Sequence, residues 1–136
     1  MKEKEKLASI LRSMTLDFFG RGKHKISPEN HFKSEDALFL DVRSSKECET
    51  LSFNLVHHMQ VLNIPVEEIP DRLEEIPKNK IVGIFCCSGV RATVVYVYLR
   101  LFGYEKVRII EGGYCSISEE LKPGKLLRLL ESKNKK

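Results

Sequence analysis

The sequence has 136 residues, of which 42% are hydrophobic and 31% charged, and its formal net charge is +4 at pH 7. A chain of this size and composition can bury one core of ordinary size without disulfides or metal ions, so we expect one compact domain. It has no run of about 18 apolar residues, and its first residues combine acids with a short apolar stretch, which argues against a membrane span and a signal peptide and predicts a cytoplasmic location.

The positive charge is concentrated at the two ends of the chain. Residues 1–25 hold seven basic and three acidic side chains, residues 122–136 hold six and one, and the residues between them hold more acids than bases. Such an excess at chain ends is typical of solvated helix faces and tails. We therefore expect no nucleic acid and no membrane surface as a partner.

The four cysteines are Cys48, Cys86, Cys87 and Cys115. Their spacing matches neither a disulfide framework nor a zinc site built from two pairs of ligands. In a reducing compartment we expect them to be thiols, so the question is which of them is reactive.

The first predicted element is an amphipathic helix over residues 4–19. Its apolar side chains recur at helical intervals, and Gly20 and Gly22 supply a stop. We expect the apolar stripe to pack against the body of the domain; docking to a partner or a membrane is the alternative. Ser27 and Pro28 then predict the N-cap and the first residue of a short helix.

Two apolar runs predict strands of a sheet. Residues 37–43 run into the charged Asp41 and Arg43, which is typical of a strand that is buried on both faces and ends at the surface. Residues 80–85 are short, apolar and partly β-branched, and they give the clearest strand. The other predicted elements are a helix from Ser44 or Ser45 through Leu51, a strand at 59–64, a helical stretch at 66–76, a helix at 90–102, a strand at 106–110, a sharp turn at Gly112 and Gly113, and a terminal helix after Pro123 and Gly124.

Residues 90–102 carry conflicting signals. Their β-branched side chains favour a strand, whereas their length and the stop at Gly103 favour a helix. Predicted strands flank the segment, and a connection between parallel neighbours is normally helical, so we predict a buried helix. The alternation of strands and helices predicts an α/β fold around a parallel sheet.

The segment that carries chemistry is the loop Cys86–Arg91, where a buried strand runs into a helix. Open α/β sheets place their sites at the carboxyl ends of strands. A cysteine at this position faces backbone N–H groups and the positive end of a helix, which both stabilise the nucleophilic thiolate. Gly89 lets the backbone turn around the sulfur, and Arg91 adds a permanent cation for an anionic donor.

The alternative is that Cys86 and Cys87 are small buried residues that happen to be adjacent. This alternative is weakened because a cysteine, a glycine and an arginine occur within six residues at a strand-to-helix junction. We expect Cys87 to point into the core rather than to act as a resolving thiol.

The sequence resembles the rhodanese family over about residues 24–121. Four landmarks occur in this sequence in the order in which the family has them. They are Asp41-Val42-Arg43 with Glu47 four residues later, His57 six residues before Asn63-Ile64-Pro65, the loop Cys86–Arg91, and Gly112-Gly113 after Val107–Glu111. The predicted organisation is an N-terminal amphipathic helix and linker at 1–23, a rhodanese-like domain at 24–121, and a C-terminal helix and basic tail at 122–136.

The resemblance implies a mainly parallel sheet of about five strands with helices on both faces, to which the N-terminal helix is an addition. It also implies a sulfurtransferase that moves sulfane sulfur from thiosulfate or a protein persulfide to a thiol or cyanide, through a persulfide on its own cysteine. Alignment of Gly89 and Arg91 with the family's Cys-x-x-Gly-x-Arg loop selects Cys86 as the sulfur carrier. No metal or organic cofactor is implied. The anion-binding loop consists of Cys87, Ser88, Gly89, Val90 and Arg91.

Four residues receive a supporting role from the resemblance. Asp41 and Arg43 brace the site through hydrogen bonds and ion pairs, and Glu47 and His57 are assigned to it with them. A histidine beside an apolar segment is also often a structural residue, and the adjacent His58 weakens the assignment of His57.

The sequence departs from the family at two places near these landmarks. Gln60-Val61 stands where a small Gly-Ala pair is common, and Tyr114-Cys115 follows the glycine pair in a chain without tryptophan. These differences leave the donor, the acceptor and the pocket shape open. Cys115 could receive sulfur or form a disulfide with Cys86, although a surface position without a role is the commoner case.

Two other functions compete with this interpretation. A cysteine phosphatase also holds an anion at a helix N-terminus, but its loop is one residue longer than the one from Cys86 to Arg91, and Phe85 stands where a histidine often precedes the nucleophile. The non-enzymatic alternative is a rhodanese module that binds a partner or senses redox state, with the N-terminal helix as its docking element. The presence of Cys86 and Arg91 argues against an inactive module, but does not separate a catalyst from a sulfur relay.

Overall fold

The computed structural model describes residues 2–134 and contains a sheet of five parallel strands. The predicted α/β fold is confirmed. The strands are β1 (Lys25–Ile26), β2 (Ala37–Asp41), β3 (Gln60–Asn63), β4 (Ile81–Phe85) and β5 (Val107–Ile110), in the order β1-β5-β4-β2-β3 across the sheet. The helices are α1 (Glu3–Ser13), α2 (Leu16–Gly20), α3 (Pro28–Lys33), α4 (Ser45–Thr50), α5 (Val90–Leu101), α6 (Gly113–Glu120) and α7 (Pro123–Asn134), with two 3₁₀ turns at Val66–Glu68 and Leu73–Glu75.

Helices cover both faces of the sheet because apolar side chains alternate between the faces along each strand. Leu40 of β2 and Ile84 of β4 belong to one buried cluster, to which α5 also contributes. Phe39 and Phe85 of the same two strands belong to a second cluster, which includes Ile117 of α6. The arrangement with helices on both faces is therefore the predicted one.

The N-terminal segment forms two helices where the sequence predicted one. Met14 has non-helical dihedral angles after α1, and the Thr15 side chain accepts a hydrogen bond from the backbone N–H of Phe18, so Thr15 caps the new helix α2. Helix α1 lies against α5, and Met14 and Phe18 pack on the core. The segment thus packs against the body of the domain, as we expected.

The helical stretch predicted at 66–76 is divided at Pro70 into the two 3₁₀ turns, because proline lacks an N–H donor and clashes with the preceding turn of a helix. Two other elements differ from the prediction. Strand β1 was missed because its two residues are too short for a periodic pattern. Helix α6 was missed as well, since Gly112 and Gly113, both with positive φ, indicated only a turn.

Burial of histidine side chains makes the stability of the domain depend on pH, and His31 is the most deeply buried of them. The His31 side chain is fully buried, its Nε2 lies 3.0 Å from the carbonyl oxygen of Leu38, and its ring packs on Gly83, where an added Cβ would lie 2.5 Å from Nε2. Burial lowers the pKa of His31, and burial also lowers the pKa of His24 and of His58. Each of these imidazoles therefore binds a proton more readily in the unfolded chain than in the folded one.

The free energy of unfolding should consequently fall as the pH drops below about 6.5, the ordinary pKa of histidine in an unfolded chain. Above that value all three rings are neutral in both states, so no dependence on them is expected. Each histidine can add a slope of up to about 1.4 kcal/mol per pH unit. Urea unfolding between about pH 7.5 and 5.5 measures the slope, and His31→Gln should reduce it. An equal slope in the variant would show that His31 does not contribute.

Candidate active site

The loop between β4 and α5 lies at the carboxyl edge of the sheet. Strand β4 ends at Phe85 and α5 begins at Val90, so four residues make the connection. Gly89 is the N-cap of α5 and has φ +85°, a left-handed conformation that strains other residues. This conformation turns the first N–H groups of the helix back toward the end of the strand.

The Cys86 side chain is surrounded by its own loop. Its Sγ accepts hydrogen bonds from the backbone N–H of Gly89, at 3.0 Å, and of Ala92, at 3.3 Å. The residue is 1% exposed, so bulk water contributes little to its solvation. Two N–H donors at the positive end of a helix favour a negative charge on Sγ, which is what a nucleophilic sulfur requires.

Cys87 points the other way, and the expectation that it lies in the core is wrong. Cys87 is exposed, and its Sγ accepts a hydrogen bond from Nη2 of Arg91 at 3.3 Å. Cys86 continues the alternation of β4 and joins the cluster that contains Ile84. Cys87 follows the end of β4, so its side chain is not directed onto the other buried face of the sheet.

Arg91 is held by Glu47 from the neighbouring helix α4. Two parallel hydrogen bonds join Nη1 to Oε1 at 2.7 Å and Nη2 to Oε2 at 3.0 Å. Glu47 also accepts hydrogen bonds from the backbone N–H and the hydroxyl of Ser44, the N-cap of α4. The pKa of Glu47 is lowered to about 2, with the largest contribution from the Arg91 guanidinium and the next largest from the hydrogen bonds of Ser44. The cation beside the loop is therefore positioned by a carboxylate that stays ionised.

Asp41 and Arg43 form a buried ion pair at the end of β2. Nη2 of Arg43 lies 2.7 Å from Oδ2 of Asp41, and the residues are 0% and 2% exposed. Burial by itself lowers the pKa of Arg43, but hydrogen bonds to Asp41 and Tyr114 outweigh it and raise that pKa. Asn63 donates hydrogen bonds from Nδ2 to the carbonyl oxygens of Asp41 and Arg43. These bonds connect the end of β3 to the segment that carries the ion pair.

The surroundings of Arg43 include residues that sequence reasoning missed. The guanidinium carbon lies 5.0 Å from the ring centroid of Phe53 and 5.5 Å from that of Tyr114, and Nη1 donates to the Tyr114 hydroxyl at 3.0 Å. The thiol of Cys48 lies 3.6 Å from Oδ2 of Asp41, and burial, followed by Asp41, raises the pKa of this thiol. These contacts join distant parts of the chain, and no local sequence pattern signals them.

His57 lies away from the other predicted site residues. It precedes β3, so it is near the amino edge of the parallel sheet, whereas Cys86 follows β4 at the carboxyl edge. The His57 side chain is exposed, and its carbonyl oxygen accepts a hydrogen bond from Lys133 of α7. The neighbouring His58 packs on Phe32, with 4.6 Å between the ring centroids. The structure does not bring either histidine to the loop.

The glycine pair after β5 lies against the loop. A Cβ added at Gly113 would lie 2.5 Å from the carbonyl oxygen of Cys87, so only glycine allows this approach. Cys115 is exposed on α6. Within residues 2–134, no group of three or more His, Cys, Asp or Glu side chains is placed to hold a metal ion, and no helix in that range is long and apolar enough to cross a membrane.

Comparison with known proteins finds relatives of this arrangement. A family model described as the rhodanese-like domain matches residues 28–120. The chain is 35% identical over 80 residues to a sulfurtransferase of Allochromatium vinosum, covering 59% of this chain and 70% of that protein. It is 27% identical over 126 residues to a tRNA uridine(34) hydroxylase of Pelagibacter ubique, covering 89% of this chain but 41% of that protein. The crystal structure of a rhodanese-related protein from Thermoplasma volcanium superposes with a TM-score of 0.61 at 24% identity, over 74% of this chain and 95% of that one, which supports the fold.

Proposed function

The chain belongs to the rhodanese-like domain family, and we propose that it is a sulfurtransferase that carries sulfane sulfur as a persulfide on Cys86. The observation that supports this proposal most strongly is the pair of hydrogen bonds from Gly89 and Ala92 to Cys86 Sγ. The similarity to the sulfurtransferase of Allochromatium vinosum supports the general class of enzyme. The hydroxylase relative extends far beyond the matched segment, so its activity is not carried over to this chain.

The reaction runs in two displacements. The Cys86 thiolate attacks the sulfane sulfur of thiosulfate, the sulfur–sulfur bond of the donor breaks, and sulfite leaves with the electron pair. A nucleophilic acceptor then attacks the outer sulfur of the persulfide, the new sulfur–sulfur bond breaks, and the Cys86 thiolate is released. Cyanide becomes thiocyanate in this step, and a thiol becomes a persulfide. The N–H groups of Gly89 and Ala92 stabilise the charge on Sγ before the first step and after the second.

The experiment that tests this proposal measures thiocyanate formation from thiosulfate and cyanide by the purified chain. We expect steady turnover, with sulfite formed in equal amount. The same assay is then repeated with an organic persulfide as the donor in place of thiosulfate. Absence of thiocyanate with both donors would overturn the proposal and favour a binding module without catalytic activity.

Arg91→Ala should raise the KM for thiosulfate by about tenfold, because it removes the cation that the loop offers to a dianion. The rate with an organic persulfide donor, whose reacting group carries at most one negative charge, should fall much less. Arg128→Ala, which removes an exposed arginine from α7, is the matched control and should alter neither value. Equal losses with the two donors would mean that Arg91, through Glu47, holds the loop in shape instead of binding the donor.

A further inference from the structure

Tyr114 is the second residue of α6, directly after the glycine pair, and the resemblance to the family gives it no role. Its half-buried ring packs edge-on against Phe85, with 5.6 Å between the ring centroids, and stacks on Phe53 at 6.2 Å. Phe85 is the last residue of β4 and directly precedes Cys86. Tyr114 therefore contacts the chain on the amino side of the proposed sulfur carrier.

Gly113, the residue before Tyr114, contacts the chain on the other side of Cys86. A Cβ added at Gly113 would lie 2.5 Å from the carbonyl oxygen of Cys87, so the backbone of α6 is packed closely against this carbonyl. The start of α6 thus touches both Phe85 and Cys87, the two neighbours of Cys86 in the sequence. Its position therefore helps to fix the direction in which the chain leaves β4.

The Tyr114 hydroxyl connects the start of α6 to the end of β2. It accepts a hydrogen bond from Nη1 of Arg43 at 3.0 Å. Arg43 is 0% exposed, and its Nε and Nη2 both donate hydrogen bonds to Asp41, so the guanidinium is held in one orientation. A buried N–H of a charged group without an acceptor is costly, so this hydrogen bond is favoured. The start of α6 is thereby attached to a buried, well-fixed cation.

The hydrogen bonds to Cys86 Sγ depend on the path of the loop. Their donors, the backbone N–H groups of Gly89 and Ala92, lie at the start of α5, whereas Cys86 directly follows β4. The two ends are joined only through Cys87 and Ser88, so a displacement at Cys87 changes the distance and the angle of both hydrogen bonds. Because a hydrogen bond weakens steeply with poor geometry, a small displacement reduces the stabilisation of a negative charge on Sγ.

We propose that Tyr114 is a positioning residue for sulfur transfer: its hydrogen bond with Arg43 holds the start of α6 against the loop and keeps Cys86 Sγ aligned with the N–H groups of Gly89 and Ala92. The inference rests on the proposed sulfurtransferase function. Because Tyr114 acts through the loop, its loss should change the rate at which Cys86 attacks the donor and leave the binding of thiosulfate nearly unchanged. In this respect it should differ from Arg91, whose loss should act on KM.

The test uses Tyr114→Phe, which keeps the ring contacts and removes only the hydroxyl. Tyr104→Phe is the matched control, because it also removes a hydroxyl with hydrogen bonds, here to the carbonyl oxygens of Leu73 and Ile76, away from the loop. Sulfite release in a single turnover with thiosulfate measures the rate of persulfide formation near pH 7 and near pH 9. Urea unfolding of both variants measures their stability.

Tyr114→Phe should form the persulfide about tenfold more slowly than the natural sequence near pH 7, with the KM for thiosulfate changed by less than about twofold. The loss should shrink to about threefold or less near pH 9, because a cysteine with the ordinary pKa of about 8.5 is mostly ionised there without the help of N–H groups. Tyr104→Phe should keep the natural rate at both pH values, even where it lowers stability as much.

A second variant tests the contact between α6 and the loop without touching the hydroxyl. Gly113→Ala places a methyl group against the Cys87 carbonyl and should cause the same loss, again larger near pH 7 than near pH 9. This variant decides the matter if Tyr114→Phe does not fold, and a natural rate in Gly113→Ala would then overturn the inference.

The inference would also be overturned if Tyr114→Phe were as fast as Tyr104→Phe, if its loss were equal at the two pH values, or if only its KM for thiosulfate changed. Failure of the natural sequence to form a persulfide from either thiosulfate or an organic persulfide would instead overturn the proposed function.

Discussion

Cys86→Ser should abolish sulfur transfer, with a loss of at least about 10³-fold in thiocyanate formation, because a hydroxyl cannot form the persulfide that links the two displacements. Cys87→Ser should keep most of the activity. The two residues are neighbours in the chain, but Sγ of Cys86 accepts the two N–H groups at the start of α5, whereas Sγ of Cys87 is exposed beside Arg91. Initial rates with thiosulfate and cyanide measure the difference.

The control for this pair is Cys115→Ser, which removes the other exposed thiol from α6. It should retain full activity. If Cys87→Ser were inactive while Cys86→Ser remained active, the carrier would be the exposed cysteine, and the N–H groups around Cys86 would serve only to fix the loop.

Arg43→Met should destabilise the domain by about 3–5 kcal/mol, because it leaves the Asp41 carboxylate buried without its counter-ion. Asp41 is 2% exposed, and loss of Arg43 removes three of its side-chain hydrogen bonds. Urea unfolding near pH 7 measures the change. The exposed pair of Arg21 and Asp17 provides the control, since Arg21→Ala should cost less than about 1 kcal/mol.

A second substitution separates the loss of the ion pair from the loss of packing. Asp41→Asn added to Arg43→Met removes the uncompensated charge, so the double variant should regain part of the lost stability. If the double variant were as unstable as the sum of the two single variants, the destabilisation would come from lost contacts with Phe53 and Tyr114 rather than from the charge.

The sequence was informative where a structural element depends on local patterns. The apolar runs at 37–43 and 80–85 predicted β2 and β4, because strands buried on both faces need continuous apolar side chains. Gly89, close after the second run, predicted the turn into α5, which the structure shows with a positive φ. The serine pair Ser44 and Ser45 predicted the start of α4 for the same kind of reason, and the structure shows Ser44 as the cap, with its hydrogen bonds made within four residues.

Features that depend on distant parts of the chain could not be predicted in this way. The side of the loop to which Cys87 points is decided by where the chain leaves β4 and by the position of Arg91. The aromatic surroundings of Arg43 come from Phe53 and Tyr114, which are close to Arg43 only after folding. His57 was assigned by resemblance alone, and the parallel register of β3 places it at the opposite edge of the sheet from the loop.

The most direct test of the central claim is to locate the transferred sulfur. The protein is incubated with excess thiosulfate, freed of the donor, and analysed by mass spectrometry, first intact and then after proteolysis with fragmentation of the peptide that contains Cys86 and Cys87. We predict that the intact protein gains the mass of one sulfur atom, that fragmentation assigns it to Cys86, and that cyanide removes it as thiocyanate. Sulfur found on Cys87 instead, or a protein that gains no sulfur from thiosulfate or from a persulfide donor, would contradict the account.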